Sequence, residues 1–593
     1  MTCRSPKAVV ATVLTRACAA GETARLAHIT GCDQSAAHRE LRSSLQEMAG
    51  GRRPWWTEMF ARILQWCVVR RWEVCSAPAE RESVRRLAAS GTVVFLPSHR
   101  SHADPLFLAQ VVRECGLPRP TWFAGDNLRL PLLTAPARRA AVVFLRRTAH
   151  GDEVYHTALR LYLGHLIEQG HPLEWYQEGG RTRTGLPQPP RLGLLTRTLE
   201  AVREDTGRPV WFVPVALTHV PVPDAMRLAD EEDGWPKAAE SLRWFLRYVR
   251  QQRPAAGRVD VRFGTPFEAG AYAHRAEGDL RQAARVLGRD VARAICRATP
   301  VRAEAVAALV LTGRSPDMTV LAVHRRTQPL LDALERCDAP GPPPAELRTL
   351  AGVRDVLERL HTAGALTMTG SGDRRQIRPV ARIAALHRNQ GVHWFWPRAL
   401  AELAALRAAR TPAPGAWEHG VRELRLLLDL VTCGTGLESD PFLLATAVVE
   451  LQRLAVGDRQ DEHQQWVFDE QMCGAGALIA PDVLNALLTA QVIVFRHLSA
   501  HTGPLDADRA AVLSAALSDA GVNNCLRSDR PDAASPHLYR AILLDAQRRG
   551  LLAADTAQSG LRRGWAARAN AALDDLRTLT RLAEQTERSQ VQP

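Results

Sequence analysis

The first pairing able to do chemistry in this 593-residue chain is His99 with Asp104, in the run LPSHRSHADP. A carboxylate bonded to one imidazole nitrogen fixes the tautomer and makes the other nitrogen more basic, so that it can take a proton from an alcohol near neutral pH. Five positions apart on one continuous helix the two side chains would diverge by about 140°, so only a turn can bring them together. The sequence predicts that turn: GTVVFLPS reads as a strand running into His99, and Asp104-Pro105 reads as an N-cap followed by a first-turn proline. The same residues also suit a loop histidine beside a helix-capping aspartate. His102 adds a second imidazole, but no neighbouring Cys or Glu-x-x-His set completes a tetrahedral site, and no metal is expected.

Two further clusters could recognise an anion. FLRR ends a short apolar run, and because alternate side chains of a strand face opposite ways, only one of Arg146 and Arg147 is expected to face a pocket. EWYQEGGRTRTG, residues 174–185, follows with Gly179 and Gly180, which let backbone amides approach a ligand, and with Arg181 and Arg183. Glycines with guanidinium groups make a phosphate cradle. It is not a P-loop, because the G-x-x-x-x-G-K-[ST] spacing and its lysine are missing.

The elements that must position these residues begin near Gly91. Short apolar strands there alternate with amphipathic helical stretches to about residue 310, an α/β signature. Residues 1–90 read as helical, as does the chain from 311 to 593, with DAPGPPP at 338–344 and RTPAPG at 410–415 as linkers or helix breakers. Three regions are therefore expected, 1–90, 91–310 and 311–593, and no internal repeat is visible.

Composition restricts the partners. A hydrophobic content of 46% with 23% charged residues fits a globular protein and excludes wholesale disorder. The net charge is +13, and lysine occurs only at Lys7 and Lys237, so nearly all the positive charge is guanidinium, which favours anionic partners. Nucleic acid is not expected, since 63 acidic residues dilute that charge and no binding module is visible. Eleven scattered cysteines without a C-x-x-C pair point to a reduced compartment. The longest charge-free run, Pro209 to Pro223, has about 15 residues, short of the roughly 18–20 that span a bilayer. Arg16 interrupts the apolar stretch near the N-terminus, which reads as a first helix rather than a signal peptide.

Taken in order, HRSHADP, FLRRT and EGGRTRTG resemble the blocks of the glycerol-3-phosphate acyltransferases, specifically the large bacterial and mitochondrial type. FVPVALTHV, with Pro214, is similar to the family's fourth block and RVDVRFGTPF to its closing strand. LHRNQGVHWFWP at 386–397 is similar to a segment of its C-terminal region. The resemblance implies an α/β acyltransferase domain, a mixed sheet flanked by helices, between an N-terminal helical and a C-terminal mainly helical region. It implies transfer of an acyl group from acyl-coenzyme A or acyl carrier protein to the sn-1 hydroxyl of glycerol 3-phosphate, with no cofactor. His99 would be the general base and Asp104 its orienting partner. Arg100, Ser101, Arg146, Arg147, Glu178, Gly179, Gly180, Arg181 and Pro214 would form the substrate site. Pro105 stands where the family often has an aromatic residue, and Gln177 and Thr182 also depart from its common pattern. A dihydroxyacetone-phosphate or other lipid acyltransferase, or a non-catalytic lipid-binding scaffold on the same fold, are the alternatives.

WWTEMFARILQWCVVRRW, residues 55–72, places Trp55, Trp56, Met59, Phe60, Ile63, Trp66 and Cys67 along one broad helical face. Such a stripe suits a helix lying in a lipid interface, or one packed on the catalytic domain. With the positive charge and a lipid product, it leads to an expected peripheral location on an anionic phospholipid surface, at the cytoplasmic face of the cell membrane.

Overall fold

The computed structural model describes residues 6–49, 59, 62–63, 66, 68–126, 134–146, 151–204, 207–232, 257–275, 278–313, 318–370, 372, 375–410, 415–454, 478–500, 535–552 and 556–591. The chain folds as two compact units: residues 1–181, 190–219 and 236–298 form one, and 182–189, 220–235 and 299–593 the other. This partition differs from the three regions read from the sequence. The N-terminal helices share the core of the α/β unit, and two short segments from within the α/β stretch belong to the helical unit.

In the first unit, helices α1 (Pro6–Ala19), α2 (Glu22–Thr30) and α3 (Gln34–Met48) precede strand β1 (Trp72–Cys75), which lies in a stretch expected to be helical. The alternation then runs α4 (Pro78–Ser90), β2 (Thr92–Pro97), α5 (Asp104–Glu114), β3 (Thr121–Gly125), α6 (Thr134–Arg139), β4 (Val142–Leu145), α7 (Glu153–Glu168), β5 (Leu173–Glu174), α8 (Gly193–Arg203) and β6 (Val210–Val220). After α9 (Ala225–Glu232), which joins the second unit, come β7 (Gly257–Phe263), β8 (Phe267–Glu268), α10 (Ala269–His274) and α11 (Leu280–Ala298). The sheet order is β1-β7-β6-β2-β5-β3-β4, with β8 antiparallel on β6, so the sheet is mixed as the resemblance implied. Strand β2 lies centrally, parallel to both β6 and β5.

Period-two alternation sends side chains of β2 and β6 to opposite faces. Val94, Leu96, Phe212 and Ala216 enter a core shared with α1, α3, α7, α8 and α11. Val93, Phe95, Val213, Val215 and Leu217 meet Phe107, Leu108, Val111 and Val112 of α5. Strands covered on both faces read as continuous apolar runs, as these do. Polar ties fasten α2 and α3 to this unit: Arg160 pairs with Glu22, Arg25 donates to Thr157 at 3.2 Å, and Arg138 donates to the Glu47 carbonyl at 2.7 Å near the end of α3.

The second unit is mainly helical: α12 (Ala303–Leu311), α13 (Val320–Glu335), α14 (Leu350–Thr362), a β9 (Leu366–Thr369) and β10 (Gln376–Pro379) hairpin, then α15 (Ala381–Asn389), α16 (Trp396–Ala409), α17 (Ala416–Val431), α18 (Pro441–Leu454), α19 (Ala480–Ala500), α20 (Pro536–Arg548) and α21 (Thr556–Val591). Helix α19 is long and apolar enough to cross a membrane by length and composition, yet most of its apolar window is buried inside the unit. Its buried Gln491 donates to the Leu430 carbonyl of α17 at 2.9 Å, and the Glu402 carboxylate accepts the Ala480 N–H at 2.8 Å. Those contacts are the packing of a core helix.

Candidate active site

Strand β2 ends at Pro97, and the chain turns through His99–Ala103 into α5. Asp104 is not the N-cap the sequence suggested. Ala103 occupies that position, Asp104 is the first helical residue, and its side chain turns back into the loop. Its Oδ2 accepts the backbone N–H groups of Arg100 at 2.7 Å and Ser101 at 2.9 Å, and His99 Nδ1 lies 3.1 Å away. Ser101 Oγ accepts the Ala103 N–H at 3.1 Å, tightening the same turn. Three donors on one oxygen hold the carboxylate against His99 and leave Nε2 as the nitrogen that can accept a proton.

A residue the sequence reading did not single out completes this arrangement. His219, near the end of β6, is fully buried with Nε2 3.0 Å from Asp104 Oδ1, and its ring meets Phe107 and Trp72. Parallel pairing of β6 with β2 brings it beside α5. Burial by itself would raise the Asp104 carboxyl, but hydrogen bonds from His219 and His99 outweigh that and hold it well below the usual carboxylate range. Asp104 is therefore an anion. The only sequence signal for His219 was a polar residue closing an apolar strand that already carried Pro214.

His99 keeps 17% side-chain exposure and stacks on Tyr176, ring centroids 4.0 Å apart. Tyr176 Oη donates to Glu174 Oε1 at 3.1 Å. Beneath the loop, Glu178 is buried; its carboxyl accepts the His99 backbone N–H and lies beside the Arg100 guanidinium. Burial pushes both Glu174 and Glu178 up to about 8, which makes them largely neutral at pH 7. In this structure Glu178 and Arg100 face each other under the His99 turn, and Arg100 and Ser101 serve Asp104 through their backbone.

Strand β5 stops at Glu174, and a turn from the Gly179 N–H to the Tyr176 carbonyl starts the glycine loop. Gly179 has φ +73°, and a Cβ there would lie 2.7 Å from Arg191 Cγ, so the close return of the chain requires glycine. The Arg191 N–H closes the loop on the Gln177 carbonyl at 2.6 Å. Gly180 continues this loop, and Arg181 after it is buried. Pro214 sits in mid-strand opposite Leu96, and its carbonyl accepts the Gly264 N–H at 2.9 Å.

Arg146 stands at the end of β4, where its guanidinium pairs with Glu47 of α3 at 2.6 Å and Asp152 at 3.2 Å and lies over the Tyr155 ring. It fastens α3 to the start of α7. Arg147 lies outside the described residues. Of the apolar stripe at 55–72, Trp55, Trp56, Phe60 and Cys67 also lie outside them. Met59, Ile63 and Trp66 are helical and exposed by 38%, 54% and 64%. Arg70 lies over the Trp66 ring at 4.5 Å.

Comparison with known proteins bears on this geometry. A model described as "Acyltransferase" matches residues 79–218, and one described as "Glycerol-3-phosphate acyltransferase C-terminal region" matches 229–515. The chain is 29% identical over 499 residues to proteins named "Putative acyltransferase plsB1" in Mycobacterium tuberculosis and Mycobacterium bovis, covering 80% of this chain and 78% of each relative. It is 32% identical over 258 residues to "Glycerol-3-phosphate acyltransferase" of Pseudomonas paraeruginosa, covering 41% of this chain and 31% of that protein.

Proposed function

We propose that the chain is a glycerol-3-phosphate acyltransferase that acylates the sn-1 hydroxyl of glycerol 3-phosphate with His99 as general base, a reading supported by the two matched family models and the similar proteins. The observation that carries this reading is the buried Asp104 anion holding His99 by Nδ1 while that ring keeps a partly exposed edge. His99 Nε2 takes the proton of the acceptor hydroxyl as its oxygen attacks the carbonyl carbon of an acyl thioester. The tetrahedral adduct collapses by breaking the C–S bond, and the imidazolium returns its proton to the departing sulfur. The Asp104 charge stabilises the imidazolium between these two transfers.

The amides of Arg100 and Ser101 are committed to Asp104, so other donors must meet the oxyanion. For the acceptor phosphate we propose Arg181 with the amides of Gly179 and Gly180, joined by Arg147, and Pro214 as a wall of the pocket. The thioester is carried by coenzyme A or acyl carrier protein. Proton transfer and thioester attack call on the imidazole and hydrogen-bond donors, and the mechanism includes no cofactor. The exposed Met59, Ile63 and Trp66 beside Arg62 and Arg70 support peripheral docking on an anionic phospholipid surface, at the cytoplasmic face of the membrane.

The test is transfer of a labelled palmitoyl group from palmitoyl-coenzyme A and from palmitoyl-acyl carrier protein to glycerol 3-phosphate in mixed micelles. Dihydroxyacetone phosphate serves as a parallel acceptor. The expected result is monoacyl product from the wild type and a loss of roughly a hundredfold to ten-thousandfold in His99→Ala, since one positioned base contributes about 10²–10⁴. Product formation unaffected by His99→Ala, or none with either donor from folded protein, overturns the assignment.

A further inference from the structure

Tyr176 lies against the His99 imidazole, and the transfer mechanism gives it no part. The extended backbone of β5 runs one residue past Glu174, where the Trp175 N–H donates to the Phe95 carbonyl at 3.3 Å. Alternation sends Trp175 into the core against Phe123 and Phe212 and leaves Glu174 and Tyr176 on the side of the His99 turn. There the Tyr176 ring stacks on His99, with centroids 4.0 Å apart and ring planes 30° from parallel. Its Oη donates to Glu174 Oε1 at 3.1 Å, and because Glu174 is buried the phenol is anchored at its far end.

The contacts of Asp104 and Tyr176 on His99 act in different directions. Asp104 Oδ2 meets Nδ1, whose hydrogen lies in the plane of the imidazole, while Tyr176 covers one face of it. Together they fix the direction and the tilt of the ring, leaving Nε2 for the acceptor hydroxyl. The contact with Tyr176 also changes with the charge on His99. A neutral imidazole is held against the phenol mainly by dispersion. An imidazolium is a cation 4.0 Å from the ring centroid, well inside the roughly 6 Å over which the negative face of an aromatic ring attracts positive charge. That attraction arises only as the proton reaches Nε2, so it lowers the barrier rather than tightening the bound state.

We propose that Tyr176 is a positioning residue for the acyl transfer, acting through His99: its π face holds the imidazole in place and stabilises the imidazolium that forms as the acceptor hydroxyl gives up its proton. The proposal rests on the reading of His99 as general base. Tyr176 keeps its own proton on Glu174 throughout, and the proton taken by Nε2 still returns to the departing sulfur. Removing the π face slows the chemical step about three- to thirtyfold and leaves KM for both substrates within about twofold, because the lost interaction belongs to the transition state.

The test replaces Tyr176 in the full-length protein by leucine, by phenylalanine and, through amber suppression, by phenylalanines carrying one, two and three ring fluorines, which keep the ring's shape while weakening its negative face step by step. Single-turnover rate and KM are measured for labelled palmitoyl transfer to glycerol 3-phosphate, beside the wild type and His99→Ala, with a thermal melt to verify folding. Tyr176→Phe is expected to stay within about threefold of wild type and Tyr176→Leu to lose about three- to thirtyfold, with the logarithm of the rate falling at each added fluorine and KM constant. Should the leucine variant not fold, the fluorinated series decides alone, since its members share the shape of phenylalanine and a purely structural role would leave their rates equal. Rates that stay within about 1.5-fold across that series, in an enzyme whose activity depends on His99, overturn the role of Tyr176 and leave the general base standing. Activity that is absent from the wild type, or that survives His99→Ala, overturns both.

Discussion

Asp104→Asn isolates what a buried charge does for His99. In the wild type, the Arg100 and Ser101 N–H groups and His99 Nδ1 all converge on Oδ2. Backbone amides cannot change from donor to acceptor, so the asparagine must place its carbonyl oxygen there and turn its NH₂ toward His219, which then accepts through the other tautomer. His99 therefore keeps its bond and orientation and loses only the negative charge. A charge pair about 4 Å apart is worth roughly 4 kcal/mol at an effective dielectric of 20, and a hydrogen bond to a neutral acceptor retains part of that. A loss of about 2–4 kcal/mol from the imidazolium-bearing transition state corresponds to roughly 30- to 1000-fold in kcat. The assay is single-turnover transfer of labelled acyl groups to saturating glycerol 3-phosphate, with a thermal melt to verify folding. A fall of less than tenfold refutes electrostatic support of His99 by Asp104. A fall as deep as that of His99→Ala refutes the retained orientation.

The buried neutral carboxyls make alkaline pH destabilising. Glu174 and Glu178, raised from 4.5 to about 8, contribute stability in full below about pH 4.5 that is lost as the pH rises through 8. Glu174→Gln, which keeps an oxygen for Tyr176, is expected to match wild type near pH 5 and melt higher at pH 9; equal melting temperatures at pH 9 refute the raised carboxyl. Gly179→Ala forces both a left-handed alanine and a clash with Arg191, costing at least about 1–2 kcal/mol and raising KM for glycerol 3-phosphate. An unchanged melt and KM would show that the loop has another form. Arg146→Ala removes two ion pairs from the α3–α7 junction and is expected to lower the melting temperature by a few degrees with less than threefold change in KM; a large KM effect would instead place Arg146 at the substrate. Replacing Met59, Ile63 and Trp66 together by serine is expected to abolish co-sedimentation with anionic liposomes at low salt, and undiminished sedimentation rules out that helix as the docking face.

The sequence by itself determined the α/β alternation, the turn joining His99 to Asp104 and the glycine-arginine loop, because each depends on neighbours within a few residues. A strand run followed by a polar turn and a proline-led helix can bring those two side chains together wherever the strand lies in the sheet. Tertiary structure decided the rest. His219 reaches Asp104 only because β6 pairs with β2 in a register that is set by side chains covering both sheet faces, a choice that no local pattern encodes. The family resemblance implies Arg146 and Glu178 as substrate contacts, but where a guanidinium or carboxyl points depends on what lies opposite: Glu47 and Asp152 for one, the His99 turn and Arg100 for the other. The N-terminal helices show the same limit, since their apolar stripe announces that something must cover it but not that α7 does. Periodicity records which face is buried, while the partner is fixed by long-range packing across the whole unit.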